Sequence, residues 1–247
     1  MKKSFIISMI IALVSIVLAL WFFGTTNGDI PINWDANGNV SGYGPPAMIF
    51  LFPGICLFIT LLMVFIPKID PKGKNIKESG PLLPIITILV SLLMLGLQIF
   101  TILTVNETDI IGMNDFIFLF LGGLFLVIGI FIPNVKQNYM LGIRTPWTLA
   151  SEEVWTKTHK TSGIWFIFAG ILFLAGIVMP VPLNFIIPLV FMGIVIIGIF
   201  VYSYALFAEE KKKKEKEKAE KKATKKTTTK TTKKKVTKNN QSKTTVK

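Results

Sequence analysis

The sequence contains very few of the residues that build disulfide and zinc sites. Its 247 residues include one cysteine, Cys56, and one histidine, His159. A single cysteine excludes an internal disulfide framework, and these two residues are too few for a structural zinc cluster, which needs four ligands. We therefore expect no metal ligands of this kind and no resident cofactor.

Charged residues are also scarce over most of the chain. Residues 1–208 hold 10 Lys/Arg against 9 Asp/Glu, whereas soluble domains carry about 25% charged residues. The last 39 residues, 209–247, hold 17 Lys against 5 Glu and contribute +12 of the net charge of +13. The chain therefore divides into a nearly neutral part and a basic tail.

Apolar residues are abundant, at 51% of the chain with 20 Phe. A helix needs about 20 apolar residues to cross a hydrocarbon core of about 30 Å. Six windows meet this requirement: 4–23, 47–66, 81–104, 116–132, 163–180 and 185–207. The first follows Lys2 and Lys3 as a signal peptide would, but it lacks a small-x-small cleavage site, which predicts a retained anchor. The fold class we expect is an all-α integral membrane bundle of six transmembrane helices.

The loop charges predict the orientation of these spans in a cell membrane. Lys and Arg occur before the first span and in every second connection, where they favour the cytoplasmic side. These residues are Lys2, Lys3, Lys68, Lys72, Lys74, Lys77, Lys136, Arg144, Lys157 and Lys160. Residues 24–46 contain no Lys or Arg. The charged residues of 105–115 are all acidic: Glu107, Asp109 and Asp115. We therefore expect both termini to be cytoplasmic.

The chain outside the spans is limited to short loops and the tail. The longest connection, 133–162, has 30 residues, too few for an independent core. The tail, 209–247, has no aromatic residue and is predicted to be disordered and cytoplasmic, in loose contact with anionic lipids. Its first part, 209–222, could prolong the sixth helix through pairs four residues apart, such as Glu210 with Lys214. Its lysines could bind nucleic acid only without specificity. No extramembrane catalytic domain is therefore expected.

The spans contain no ionisable residue, unlike those of most pumps and ion-coupled transporters. Gln98 is predicted to form a hydrogen bond between helices, and Cys56 to be a buried packing residue. Five glycines are predicted to allow close helix packing: Gly122, Gly123, Gly170, Gly193 and Gly198. A small-solute transporter or channel is the alternative function, and a hydrated cavity lined by Gln98 would favour it.

The first outside loop is polar and contains the tight-turn pair Asn37–Gly38. Its alternating Asp and Asn residues do not match a calcium loop, because Pro46 occupies the position of the required bidentate Glu. We predict a compact hairpin that rests on the bundle.

The long cytoplasmic loop begins with the string from Asn138 to Thr148. Thr148 or Ser151 is predicted to cap a short helix that places Glu152, Trp155 and His159 on roughly one face. We consider three roles for Arg144: it marks the inside face, it binds a lipid phosphate, or it pairs with a carboxylate of a neighbouring loop. An enzyme of lipid headgroups that uses Glu152, His159 and Arg144 is a third candidate function.

These two segments resemble the SdpI family of bacterial immunity proteins, and the N-terminal region resembles the associated DUF1648 domain. The external motif comprises Pro31, Asn33, Trp34, Asp35 and Gly38, with Asn33 where family members commonly have His. The cytoplasmic motif comprises Asn138, Gly142, Arg144, Thr145, Pro146, Trp147, Trp155 and His159. The resemblance divides the chain into a DUF1648-like region, 1–80, an SdpI-like region, 81–208, and the tail.

The resemblance implies a non-enzymatic membrane protein without catalytic residues or cofactors. Its expected role is to protect the cell from a secreted, membrane-active toxic peptide that acts from outside. Capture of a cytoplasmic repressor, and thus signalling, is a second expected role.

Overall fold

The computed structural model describes residues 2–108 and 111–243. Asp109, which the loop-charge prediction uses, lies outside the described residues. The elements in chain order are α1 Lys2–Thr25, β1 Ile30–Trp34, β2 Val40–Gly44, α2 Leu51–Ile69, α3 Gly73–Glu78, α4 Leu82–Val105, α5 Met113–Phe131, α6 Pro146–Ala150, α7 Glu152–Ala175 and α8 Leu183–Lys243. Contacts group the chain into two units, Met1–Ser203 and Tyr204–Lys247.

Six helices of the described chain are long and apolar enough to cross a membrane, which confirms the all-α membrane bundle. They are α1, α2, α4, α5, α7 and α8. Many of their outward side chains are apolar and exposed, including Val17, Phe58 and Ile197, each at least 65% exposed. Such surfaces contact the lipid bilayer. The predicted cytoplasmic location of both termini stays a prediction.

The fifth span differs from its prediction, because the short loop helix and the span form one helix. α7 runs from Glu152 to Ala175 without a break, although the apolar window begins at residue 163. Residues 152–162 contain no proline. Val154, Trp155, Thr158 and His159 bury one side of this first part and hold it in the helix.

Glycines allow α5 and α7 to pack backbone against backbone. A Cβ atom added to Gly129 would lie 2.7 Å from the Gly163 carbonyl oxygen, and one added to Gly122 would lie 3.0 Å from that of Gly170. The predicted packing role of Gly122 and Gly170 is therefore confirmed. It is wrong for Gly123, Gly193 and Gly198, where an added Cβ would meet nothing within 4 Å. The sequence alone does not show which helix faces meet, so it could not separate these two groups of glycines.

Gln98 joins α4 to α1, as predicted. Its side-chain nitrogen donates to the Ser15 carbonyl oxygen at 2.9 Å, and the Ser15 hydroxyl donates to its side-chain oxygen. Gln98 is fully buried and lines neither of the two cavities described below, so the observation that would favour a transporter is absent there. Cys56 is also buried, as predicted.

Loop contacts define two ends of the bundle. On one, here called the hairpin face, Asn114 at the start of α5 donates a 2.7 Å hydrogen bond to the Ala36 carbonyl oxygen in the β1–β2 turn. On the other, here called the lysine face, Asn75 of α3 donates a 2.7 Å hydrogen bond to the Gln137 carbonyl oxygen. Alternate connections therefore share a face, as six membrane crossings require.

The second unit begins at residue 204 and contains the tail. The extension of the sixth helix over residues 209–222, which the sequence offers, is present, and the predicted disorder of the tail is not confirmed. The backbone of α8 is helical through Lys243. Lys and Glu are good helix formers, and adding residues to an existing helix avoids the cost of nucleation. An ion pair between Glu210 and Lys214, one turn apart, supports this continuation.

Candidate functional site

His159 is the buried centre of the motif loop, which we define as residues 133–151 on the lysine face. Its Nδ1 lies 2.8 Å from the Trp155 carbonyl oxygen, and its Nε2 accepts the backbone N–H of Ile143 at 3.0 Å. Because an N–H can donate only to an unprotonated nitrogen, Nε2 carries no proton and Nδ1 is the donor. The ring is therefore neutral, and both of its nitrogens are occupied.

Trp155 packs directly on this histidine. The two rings stack with centroids 4.1 Å apart, and the indole N–H of Trp155 donates to the Val135 carbonyl oxygen at 2.7 Å. Trp155 is 1% exposed and His159 is 0% exposed. The two residues therefore hold the motif loop against the first turns of α7 at two points, Val135 near its start and Ile143 near its middle.

Gly142 is the one motif residue whose lack of a side chain is required on two counts. Its φ is +104°, a backbone conformation that L side chains rarely adopt. A Cβ atom there would also lie 2.5 Å from Nε2 of His159. The close approach of the loop to the imidazole therefore depends on glycine.

Asn138 organises the first turn of the loop. Its side-chain oxygen accepts the backbone N–H groups of Met140 and Leu141 at 2.9 and 2.6 Å. Its side-chain nitrogen donates to the Lys136 and Leu141 carbonyl oxygens at 2.8 and 2.9 Å. Asn138 is fully buried and has partners on both side-chain atoms, so its role within the described structure is to shape the loop.

The Thr145-Pro146-Trp147-Thr148 segment forms the short helix α6. The Thr145 and Thr148 side chains each accept the other's backbone N–H, at 3.2 and 2.9 Å, in a capping box, and Pro146 occupies the first turn. The Thr145 hydroxyl also donates to Ser203 Oγ at 3.1 Å, and Trp147 meets Phe200 edge to face at 4.9 Å. These contacts fix the motif loop to α8. Of the two predicted caps for the following helix, Ser151 is the one that caps α7.

The connection between α2 and α4 clamps the motif loop from the other side, which the sequence did not indicate. Asp70 accepts the Tyr139 backbone N–H at 2.8 Å, and Ser79 Oγ accepts that of Lys136 at 2.9 Å. Lys72 donates to the side-chain oxygen of Gln137, whose nitrogen donates to the Thr148 carbonyl oxygen at 2.8 Å. The three contacts made by Asp70, Ser79 and Lys72 join residues that lie more than 55 positions apart.

Arg144 is exposed, and its Nη1 donates to the Tyr139 carbonyl oxygen at 2.6 Å. Among the described residues the carboxylate partner considered for Arg144 is not found, since the ion pairs there join lysines to glutamates. Glu78, for example, pairs with Lys136 at 2.7 Å, and the hydrogen bond from Lys136 lowers the pKa of this carboxyl group. A buried His159 with both nitrogens engaged also fits poorly with a general base that acts on lipid headgroups.

On the hairpin face, β1 and β2 pair antiparallel around a turn that Asp35 organises. Asp35 Oδ1 accepts the backbone N–H groups of Asn39 and Asn37 at 2.9 and 2.8 Å, and the bond from Asn39 contributes most to a lowered pKa of this carboxyl group. Gly38 has a φ of +86°. Trp34 meets Phe100 of α4 edge to face at 5.7 Å. The predicted compact hairpin that rests on the bundle is therefore present.

A cavity of about 590 Å³ lies beneath this hairpin. Four of the five external motif residues line it: Pro31, Asn33, Trp34 and Asp35. The rest of its wall is mainly apolar and comes from α2, α4, α5 and α8, through side chains such as Ile55, Leu97, Ile117 and Phe185. The arrangement can hold an apolar group against a polar rim. In the part of the chain that the structure describes, no cluster of three or more His, Cys, Asp or Glu could hold a metal ion.

Fold and sites together define a six-span α-helical membrane protein with a fastened motif loop on one face and a hairpin-covered cavity on the other. The model of the SdpI/YfhL protein family matches residues 134–204, and that of a domain of unknown function, DUF1648, matches residues 10–57. "Immunity protein SdpI" of Bacillus subtilis (strain 168) is 31% identical over 167 residues, which cover 65% of this chain and 74% of that protein. No solved structure matches the chain. The chain belongs to the SdpI/YfhL family and is an SdpI-like, multi-pass membrane protein. The division at residues 80 and 208 stays a prediction.

Proposed function

We propose that this protein protects its cell from a membrane-active toxic peptide, which it engages at the hairpin face without enzymatic chemistry. Sequence similarity to an immunity protein supports the general protective role. The orientation we propose places the hairpin face outside and the lysine face, with both termini, in the cytoplasm. A peptide that attacks from outside would then meet the hairpin before it crosses the bilayer.

The observation that carries peptide recognition is the cavity lined by the external motif. Its wall is mainly apolar. In the proposed orientation it lies on the outer side, where a peptide that inserts into the outer leaflet would arrive. Residues 24–46 and 105–115 contain acidic side chains but no Lys or Arg. An apolar cavity with Asp35 in its wall, next to loops without basic residues, complements a cationic amphipathic peptide, whose apolar side chains enter the cavity while its basic groups stay near Asp35.

The motif loop is the surface we propose for the repressor. Tyr139, Met140 and Arg144 are exposed there, whereas Asn138, Thr148 and His159 are buried and hold the loop in shape. A protein partner would contact the exposed set and would depend indirectly on the buried set. Peptide binding on the opposite face would alter this contact only through the helices that join the two sites.

Filling the cavity tests the peptide site. Leu97→Trp places a large ring in the cavity and is expected to lower survival of cells exposed to a membrane-active peptide at least tenfold. Leu92→Trp is the matched control, because Leu92 lies on the same helix, is 46% exposed and does not line the cavity. Membrane protein levels are measured by immunoblot. Equal survival for the two variants would contradict recognition in this cavity.

Arg144→Ala tests the motif loop. We expect lower protection at an unchanged protein level, because the change removes an exposed cation and the Arg144–Tyr139 hydrogen bond. Lys160→Ala is the control, since it removes another exposed cation just beyond the loop. If well-expressed wild-type protein fails to protect against several membrane-active peptides, the proposed immunity role itself is wrong.

A further inference from the structure

The lysine face has a second cavity, of about 320 Å³, between α1, α2 and α4. Its wall includes Phe5 of α1, Met63 and Val64 of α2, and Leu83 of α4. Lys68 at the end of α2 and Lys77 of α3 also line it. This volume lies within the range of small-molecule sites, about 300–1,000 Å³. The site therefore combines an apolar interior with two cations.

Lys68 and Lys77 differ from the other lysines of this region, which have polar partners within the protein. Lys74 lies 3.8 Å from Glu78, which also pairs with Lys136, and Lys72 hydrogen-bonds to Gln137. Among the described residues neither Lys68 nor Lys77 has an ion pair. Lys68 contacts the aromatic ring of Phe65, whose centroid lies 5.2 Å from Nζ. Both ammonium groups can therefore take an anion from outside the protein.

We propose that this cavity binds one anionic phospholipid, independently of the immunity role. The phosphate lies between Lys68 and Lys77, and an acyl chain lies along Met63, Val64 and Leu83. Lysines at helix ends sit at headgroup level, and basic pockets between spans are suited to anionic headgroups. A free phosphate would leave the apolar wall unused, and a zwitterionic lipid would gain little from two unpaired cations.

The test uses the full-length protein in detergent and counts bound lipids by native mass spectrometry. The ligands are phosphatidylglycerol, phosphatidylcholine and glycerol 3-phosphate. Lys68→Gln/Lys77→Gln is expected to weaken phosphatidylglycerol binding roughly tenfold to thirtyfold, given about 1 kcal/mol for each lysine. Val64→Trp fills the apolar end and is expected to weaken binding with both lysines intact. Lys74→Gln/Lys160→Gln removes the same charge from the same region and is expected to bind normally.

Each alternative outcome overturns the proposal. Equal losses in the two double variants would indicate general attraction to the surface. Equal binding of phosphatidylcholine would remove the role of the lysines, and competition by glycerol 3-phosphate as strong as that by the lipid would indicate a free phosphate site. Unchanged phosphatidylglycerol binding by Lys68→Gln/Lys77→Gln would exclude the site directly, and these two exposed positions carry little risk for folding.

Discussion

At the scale of single residues, the motif residues from Asn138 to His159 mainly hold the loop in its conformation. Asn138, Thr148 and His159 are fully buried, and each hydrogen-bonds to the backbone of the loop. The sequence indicated a special segment because Gly, Pro, Trp and His occur together there. It could not indicate that the imidazole accepts a backbone N–H from a residue 16 positions earlier, since that contact depends on how the loop folds onto α7.

Gly142→Ala is expected to destabilise the protein more than Gly80→Ala does. Both glycines have positive φ, +104° and +76°, so both variants lose about 1 kcal/mol to backbone strain. Only at position 142 would the new Cβ meet another group, His159 Nε2 at 2.5 Å, whereas at position 80 it meets nothing within 4 Å. We expect a further loss of about 1–3 kcal/mol for Gly142→Ala.

Thermal unfolding of the two purified variants in detergent measures this difference. Hydrogen exchange at the Ile143 amide adds a local readout, because that N–H loses its acceptor when the imidazole is displaced. Equal melting temperatures, or an Ile143 amide that stays protected in Gly142→Ala, would contradict the assigned contact.

At the scale of helices, the sequence determines which segments cross the membrane but not which of their faces meet. The six spans follow from composition alone, since each needs only enough apolar residues. Gly129 and Gly163 were not predicted, because the sequence does not show which glycines of the two helices face each other. For the same reason the sequence did not indicate that Asp70 and Gln137 hold the motif loop, because their contacts join loops that are distant along the chain.

Gly129→Ala is expected to weaken the α5–α7 pair, and Gly123→Ala is expected to leave it unchanged. At position 129 the added Cβ would lie 2.7 Å from the Gly163 carbonyl oxygen and 2.8 Å from the Ile167 nitrogen, so the helix backbones must separate. At position 123, on the same helix, nothing lies within 4 Å. Overpacking of this kind costs about 1–3 kcal/mol.

Unfolding of the two variants in the same detergent provides the measurement, with circular dichroism to confirm equal helix content before heating. If Gly123→Ala were as destabilising as Gly129→Ala, the loss would reflect glycine replacement in general and not the close approach of α5 and α7.

At the scale of the whole molecule, charge and packing are separated along the chain. The first unit contains five spans and the first part of the sixth, both candidate sites and the network of loop hydrogen bonds, and residues 1–208 are nearly neutral. Residues 209–247 carry +12 and no aromatic residue. Stability and site geometry should therefore depend on the first part, and attraction to an anionic membrane surface on the second.

Truncation after residue 208 is expected to leave the melting temperature within about 2 °C of the full chain, since less than about 1 kcal/mol of stability is lost.

The position of the tail is tested with a fluorescent dye attached to the full chain through Ala223→Cys, with Cys56→Ala. The protein is placed in phosphatidylglycerol nanodiscs that contain a headgroup quencher, and we expect the dye to be quenched because the tail lies close to the headgroups. Quenching should fall in 1 M salt, where the Debye length is about 3 Å, and should be weak in phosphatidylcholine. Replacing the lysines of residues 225–247 by glutamine should abolish it. Strong quenching that persists in high salt or without these lysines would mean that the tail is held by contacts other than charge.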